Sequence, residues 1–516
     1  MTAAAPSPCE PNAAIKRIVI LGGGTAGWMA AAALARALAN TGTHITVVES
    51  AAIGIVGVGE ATVPSIHAFN ALLGLPKADF MRECQATFKL GIDFIDWGER
   101  GRHYMHAFSP YGLAGSGGNF HRLWMRHAHD LGRTGVVDDI DRYNIGTLAA
   151  RLGKVPPPSA KPRPQDAVNF AYHFDAALYG QYLRRYAERH GVVRIDGEVV
   201  SVGRATDTGH IEVLQLQTGQ AVAGDFFIDC SGFKGVLISG AMGVGYQSWS
   251  HWLPCDRAVA VPSGRRGAPE PYTRSTAVDA GWMWRIPLQH RNGNGYVYSS
   301  AHLSDDAAAV RLLETLDGPA MAEPRLLRFE TGRRARAWSG NCLALGLAAG
   351  FLEPLESTSI HLIQTSLFRL LSLFPDKGFN AAEIDEFNRQ TTEEYENVRD
   401  FLIAHYKLTR RTDTAFWTQC GDMAVPDRVA DILALFAANG RLPSRPEQLF
   451  SAQSWLAVLM GQGDAPQGYD PLLRPMPGAD VAAHMATVRQ TLAGQVAGMP
   501  RHDDVLGDFC PTGVAS

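Results

Sequence analysis

The sequence predicts an α/β protein: a parallel sheet entered through a βαβ unit, with an additional, mainly helical lobe. Three observations predict it. Residues 17–21, "RIVIL", are a short apolar run that stops at three glycines. "TAGWMAAAALARAL" continues with helical composition, and "HITVVES" (44–50) follows as a second strand of buried type. Strand, glycine turn, helix and strand in this order open a parallel sheet. From about residue 381 onward the chain reads as helical, with Gly and Pro breaks near 439–446 and 461–476.

The remaining elements follow in order. Residues 1–15 lack a basic-then-apolar order and are expected to be a disordered leader rather than a signal peptide. In "FKLGIDFIDW" (88–97), Phe88, Leu90, Ile92 and Phe94 alternate with Lys89, Gly91 and Asp93, which predicts a half-buried strand. "KVPPPSAKPRPQD" (154–166) reads as a proline-rich connector. Residues 193–230 alternate as strands do and end in "DFFIDCSG". The expected organisation is a core over 16–380, with insertions around 100–190 belonging to a substrate lobe, and a mainly helical region over 381–516.

Bulk composition narrows the function. The chain has 516 residues, 46 % apolar, with 47 basic and 51 acidic side chains and a formal charge of −4. That is long enough for two or three lobes with sizeable cores. The near-neutral balance gives no support for nucleic acid or an anionic membrane as partner. The most apolar helix is interrupted by Arg36, short of the roughly 20 apolar residues that a bilayer span needs. Seven scattered cysteines without a CxxC pair argue against structural zinc and a disulfide scaffold, and for a reducing cytoplasm.

"LGGGTAGW" fits G-x-G-x-x-G through Gly22, Gly24 and Gly27. The first glycine makes a tight turn, the second admits a pyrophosphate, and the third lets helix pack on strand. Thr25 and Ala26 open the helix whose N-terminus offers N–H donors to phosphate. Glu49 ends the next strand, where a carboxylate bonds ribose hydroxyls. Only one such fingerprint is present, which favours FAD over a nicotinamide cofactor. "FFIDCSGFKG" (226–235) resembles the second strand-to-glycine turn of FAD-dependent hydroxylase folds. "NCLALGLAAGFLEP" (341–354), with Leu347, occupies the place where those folds run a strand into the ribityl chain, but lacks their usual Gly-Asp pair.

"GVGEATVPSI" (57–66), "GWMWRIP" (281–287) and "EPLESTSI" (353–360) together resemble the flavin-dependent tryptophan halogenases, and "FKLGIDF" places a lysine where that family has its catalytic lysine. The resemblance runs from about residue 16 to about 465. It implies an FAD-binding Rossmann-like domain of the hydroxylase/monooxygenase type, with Ala61 of "GEATVP" and Leu347 beside the flavin. It further implies a two-component enzyme in which FADH2 from a separate NAD(P)H-dependent flavin reductase, O2 and halide (chloride or bromide) give hypohalous acid, HOX. Lys89 would direct HOX to one position of an aromatic ring by hydrogen bonding or as a haloamine, an amine made available by desolvation. Glu356 would stabilise the cationic ring and take its proton.

Each residue also has a plainer role. Lys89 could lie on a solvent face, Glu356 could serve the helix macrodipole, and one of Ser357, Thr358 and Ser359 is expected to cap the helix beginning near Ile360. The resemblance places halide at Thr358 and Ser359. It also places His106, Phe108 and Trp455 in the substrate wall, although core packing explains the last two nearly as well. Trp282 and Trp284 would stand between flavin and substrate, and Glu353 would be structural. The substrate is expected to be indole, a tryptophan-like compound or another electron-rich ring, and a homodimer is plausible for the family. Two alternatives stay open at this stage: an FAD-dependent aromatic monooxygenase, and a flavin-binding protein without turnover.

Overall fold

The structure is a computed structural model, described over residues 14–50, 59–113, 120–132, 139–157, 168–443 and 448–509. The expected leader up to residue 13, most of the proline-rich connector (158–166) and the first two residues of "GVGEATVPSI" lie outside these residues.

The βαβ expectation holds. Strand Arg17–Leu21 leads into helix Thr25–Ala37 and then strand His44–Glu49. These join a six-stranded sheet whose order is Trp338–Ser339, Cys342–Ala344, Phe226–Asp229, Arg17–Leu21, His44–Glu49, Val193–Asp196. Every pairing in it is parallel except the first. Its apolar strands bury both faces, as parallel strands do under helices. The "NCLALG" strand therefore lies next but one to the first strand, and the turn Gly346–Ala348 after it returns to the start of helix Thr25–Ala37. A Cβ on Gly346 would stand 2.9 Å from the Ala26 methyl.

A second, seven-stranded sheet carries the W-x-W-x-I-P strand Gly281–Pro287 near its centre, with Gly91–Ile95 and His103–Ala107 at one end. A third has three strands: Gly59–Ala61, Ala171–Asp175 and Thr87–Lys89. The region after 381 is helical, led by the 27-residue helix Ala381–Lys407. Among the described residues no helix is long and apolar enough to cross a membrane.

Residues 88–97 depart from expectation. The stretch is not one half-buried strand but two short ones, Thr87–Lys89 and Gly91–Ile95, which break at Leu90 and enter different sheets. Phe88, Lys89, Leu90, Ile92 and Phe94 are all fully buried. Period-two alternation shows which side chains share a face, but it cannot show that a second layer covers the polar one.

Candidate active site

The glycine turn has the geometry its spacing predicts. Gly22 has φ +114°, and a Cβ there would fall 2.2 Å from the Cys230 carbonyl oxygen. On Gly27 it would meet the Gly22 carbonyl oxygen at 1.8 Å, which is the close strand–helix approach. On Gly24 it would meet nothing within 4 Å, so the space in front of the helix N-terminus is open. Gly24 caps that helix without a side-chain bond, leaving the first-turn N–H groups turned outward. Glu49 ends its strand under Gly23 and pairs with Arg194 and, at 3.6 Å, with Arg184. Thr25 bonds the Ala176 carbonyl at 3.5 Å, Ala61 is buried in its strand, and half-buried Leu347 lies in the returning turn. Open space, free donors and a carboxylate at the adjacent strand end fit a dinucleotide.

The "EPLEST" loop links this cradle to a second cluster. Pro354–Glu356 form one 3₁₀ turn, and Ser357 follows with φ +61°, a left-handed backbone that costs a non-glycine residue about 1–2 kcal/mol. The helix begins at Ser359, one residue before the expected position, and packs on helix Thr25–Ala37. Thr358 stands at its N-cap, but its hydroxyl makes no cap bond. The capping expectation fails here: the Thr358 Oγ1 is fully buried and has no hydrogen-bond partner. A buried orphan hydroxyl costs about 1–3 kcal/mol, and it fits a site whose partner is an anion rather than protein. Ser359 supplies the first residue of the same turn.

Strain at Ser357 buys a contact with the amine. The Lys89 Nζ donates to the Ser357 Oγ at 2.8 Å and to the Thr62 carbonyl of the "GEATVP" segment at 3.0 Å. Burial pushes Lys89 down to about 7, and the Glu356 carboxylate offsets part of that. The amine also lies 5.2 Å from the centre of the Phe108 ring. Lysine is thus a group at the balance point between ammonium and amine at neutral pH.

Glu356 is as buried as Lys89, and burial alone would raise it. The His106 and His405 imidazoles overcome that and hold it at about 2, so it stays ionised. The His106 Nδ1 donates to both carboxylate oxygens, at 2.9 and 3.0 Å. The His405 Nε2 lies 2.8 Å from Oε1 and its Nδ1 3.2 Å from the Tyr104 hydroxyl, while burial pushes the ring down. His106, expected in the substrate wall, thus holds the Glu356 carboxylate. His405 carries no motif and was invisible in the sequence; only the long helix Ala381–Lys407 brings it here.

Aromatic rings surround this pair. Trp455 lies 5.2 Å from Phe401, Phe401 stacks on Phe450 at 3.9 Å, and His106 lies 5.6 Å from Phe401. Phe401 and Phe450 were also missed, because neither sits in a recognisable pattern. Below them, Glu353 accepts from the Trp282 indole at 3.0 Å and from the Tyr406 hydroxyl at 2.5 Å, and burial raises it to about 7. Both bonds use Oε2, and the buried Oε1 has no partner among the described residues. Trp282 and Trp284 are buried neighbours, 6.0 Å between ring centres.

A glycine cradle for a dinucleotide and a dry amine–carboxylate pair, joined by one loop, define a cofactor-dependent enzyme that works on an aromatic ring. Comparison with known proteins specifies the class. The tryptophan halogenase family model matches residues 17–478. A tryptophan 6-halogenase of Streptomyces albogriseolus is 35% identical, with 95% of this chain and 98% of that protein covered. A tryptophan 7-halogenase of Lentzea aerocolonigenes is 34% identical over 90% and 93%. Among solved structures, a flavin-dependent halogenase from Xanthomonas campestris is 44% identical, covers 98% of this chain and 100% of that one, and has a TM-score of 0.92. Another from a Brevundimonas strain is 46% identical, with coverage of 96% and 99% and a TM-score of 0.91. The chain belongs to the tryptophan halogenase family. It is a flavin-dependent halogenase, with the α/β fold of that class and helical regions added.

Proposed function

We propose that the chain halogenates an indole-bearing ring, free or in a tryptophan-like compound, with Lys89 and Glu356 as its catalytic residues. The observation that carries this reading is the buried Lys89 amine, pushed down to about 7 and held between the Thr62 carbonyl and the Ser357 hydroxyl beside an ionised Glu356. FAD would be held by Gly22, Gly24, Thr25, Ala26 and Gly27, with Glu49 toward the ribose and Ala61 and Leu347 beside the ring system. Reduced by a separate NAD(P)H-dependent reductase, the flavin supplies with O2 the oxidising power that turns halide into HOX. Halide, chloride or bromide, sits at the Thr358 hydroxyl and the N–H groups opening helix Ser359–Ser372. Residues 16–380 then form the cofactor core, with insertions at 100–190 and the helices of 381–516 closing the substrate side.

The residues divide the work. Trp282, anchored by Glu353, keeps the organic substrate from the cofactor. Lys89, carrying a free electron pair in its neutral form, binds HOX through hydrogen bonding or as a haloamine and aims the halogen. His106, Phe108, Trp455 and the Phe401–Phe450 stack hold the ring, with offset and edge contacts adding about 0.5–1.5 kcal/mol each beyond burial. From HOX, the O–X bond breaks as the ring's electrons attack the halogen, releasing hydroxide that becomes water with the ring proton. From a haloamine, formed with loss of water, the N–X bond breaks instead and returns the Lys89 amine. The halogen bonds to a ring carbon, and the ring becomes cationic. Glu356 stabilises that cation and takes the proton from the same carbon; a ring cation about to regain aromaticity is acid enough for a carboxylate held at about 2. HOX and the arene thus become haloarene and water.

The test is mass spectrometry of products from indole and from tryptophan, with FAD, a flavin reductase, NADH, O2 and bromide or chloride. A halogen isotope pattern that vanishes in Lys89→Ala supports the reading. Undiminished halogenation by that variant would sink it.

A further inference from the structure

The strand that carries Lys89 is only three residues long and lies at the edge of its sheet. Its inner side pairs with Ala171–Asp175, in the register Thr87–His173, Phe88–Tyr172, Lys89–Ala171. Among the described residues the outer side has no strand to pair with, and an edge this short has little stiffness of its own. Two groups cover it. The Leu90 N–H donates to the Pro271 carbonyl at 2.7 Å. The Phe88 N–H, one residue before the lysine, donates to the His502 Nε2 at 3.1 Å.

His502 opens the last described helix, His502–Phe509, 414 residues away in sequence. Its other nitrogen, Nδ1, lies 2.8 Å from the Pro269 carbonyl. The two partners fix the tautomer. A peptide N–H can only donate, so Nε2 is bare; a carbonyl can only accept, so Nδ1 carries the proton. Burial pushes the ring down to about 4, so it is neutral throughout the working range. The helix is itself seated. The His502 N–H donates to the Gly153 carbonyl, and Arg501 bridges to Lys154. Lys77 stands among the Phe88, Phe170 and Phe509 rings, 4.7–5.3 Å from their centres.

We propose that His502 is a positioning residue for Lys89: by accepting from Phe88 and donating to Pro269 it fixes the outer edge of the strand that presents the amine. This rests on Lys89 being the amine used in halogenation. Without His502, a buried Phe88 N–H loses its acceptor, and the strand shifts or admits water to satisfy it. Either change moves the amine, and water at the strand weakens the desolvation that holds Lys89 low.

The variant to make is His502→Leu, which keeps apolar volume and removes both bonds; His502→Asn, whose amide reaches one partner, replaces it if the leucine variant does not fold. His502→Gln can bond both partners and serves as the rescue. Phe509→Ala loosens the same helix without touching the His502 bonds. Three quantities are read: hydrogen exchange at the Phe88 amide, kcat and KM for the aromatic substrate, and the pH profile of kcat. Expected for His502→Leu are faster exchange at Phe88, a kcat lower by roughly ten- to a hundred-fold, an unchanged KM, and a rise of activity displaced to higher pH. His502→Gln should restore all three, and Phe509→Ala should lose thermal stability with its pH profile in place. An unchanged kcat and pH profile in the folded variant overturns the proposal, as does failure of glutamine to restore them or an equal displacement in Phe509→Ala. Lys89→Met assayed alongside separates the two levels. If it is inactive while His502→Leu behaves as wild type, the role of Lys89 stands and that of His502 falls; if it is active, both fall.

Discussion

Replacing Lys89 with methionine is expected to stabilise the folded protein at neutral pH while abolishing halogenation. The lysine falls from 10.5 to about 7 on folding. At about 1.4 kcal/mol for each pH unit, that difference of about 3.5 is on the order of 5 kcal/mol held against folding. The sign follows from proton counts. Between about pH 7 and 10.5 the unfolded chain binds more protons at this position than the folded one, so wild-type stability rises with pH across that window and the penalty is full below it. Methionine has similar length and no proton to lose, but it leaves the Thr62 carbonyl and the Ser357 hydroxyl without their donor, a cost of about 1–3 kcal/mol. The variant should therefore exceed wild type by about 2–3 kcal/mol at pH 7, equal it near about pH 9 and fall below it above that. Denaturant unfolding of both proteins at half-unit steps from pH 6.5 to 9.5, followed by tryptophan fluorescence, measures the difference directly. A variant less stable than wild type at pH 7, or a difference that does not move with pH, would refute the desolvated-amine reasoning.

Other outcomes follow from the same geometry. The kcat for halogenation should rise through about pH 7 as Lys89 loses its proton, and a profile flat from pH 6 to 8.5 contradicts a role for the neutral amine. Glu356→Gln should lower kcat by roughly 10²–10³-fold with little change in KM, since the carboxylate acts on charge that develops after binding. Thr358→Val should raise the halide KM while leaving stability unchanged or slightly higher, because the hydroxyl it removes has no protein partner. Of two glycine variants, Gly27→Ala should fail to fold or to bind FAD, as its methyl would meet the Gly22 carbonyl at 1.8 Å; Gly24→Ala should fold normally and bind FAD more weakly, which isothermal titration and thermal unfolding distinguish.

Much of this was legible in the sequence where function imposes a local pattern. The glycine spacing, the strand before it and Glu49 are read within 33 residues of chain, because a phosphate-binding turn is a local object. Lys89 and Glu356 were found through motifs whose family resemblance also implied their chemistry, but the burial and partners that support it were not readable from the chain. The alternation around Lys89 suggested a wet face, whereas packing by other layers makes it dry, and dryness alone moves the amine into working range. The serine and threonine cluster suggested a cap, and the structure leaves the Thr358 hydroxyl unpaired instead. His405, Phe401 and Phe450 lie on the distant C-terminal part of the chain, where neither spacing nor composition signals that they converge on Glu356 and the aromatic wall.

The way Lys89 is held has a bearing on how this protein fails. Its nitrogen is bonded to residues 62 and 357, its strand is paired with residues 171–173, and the neighbouring amide is bonded to residue 502. No single segment of chain contains the site, so an intermediate that has formed the glycine cradle alone would already have a docking place for nucleotide and nothing with which to direct an electrophile. Cofactor retention and regiospecific chemistry are therefore separate milestones of assembly. Under gradual denaturation halogenation should disappear with the first of these contacts to open, while a glycine turn that still folds keeps its affinity for added FAD.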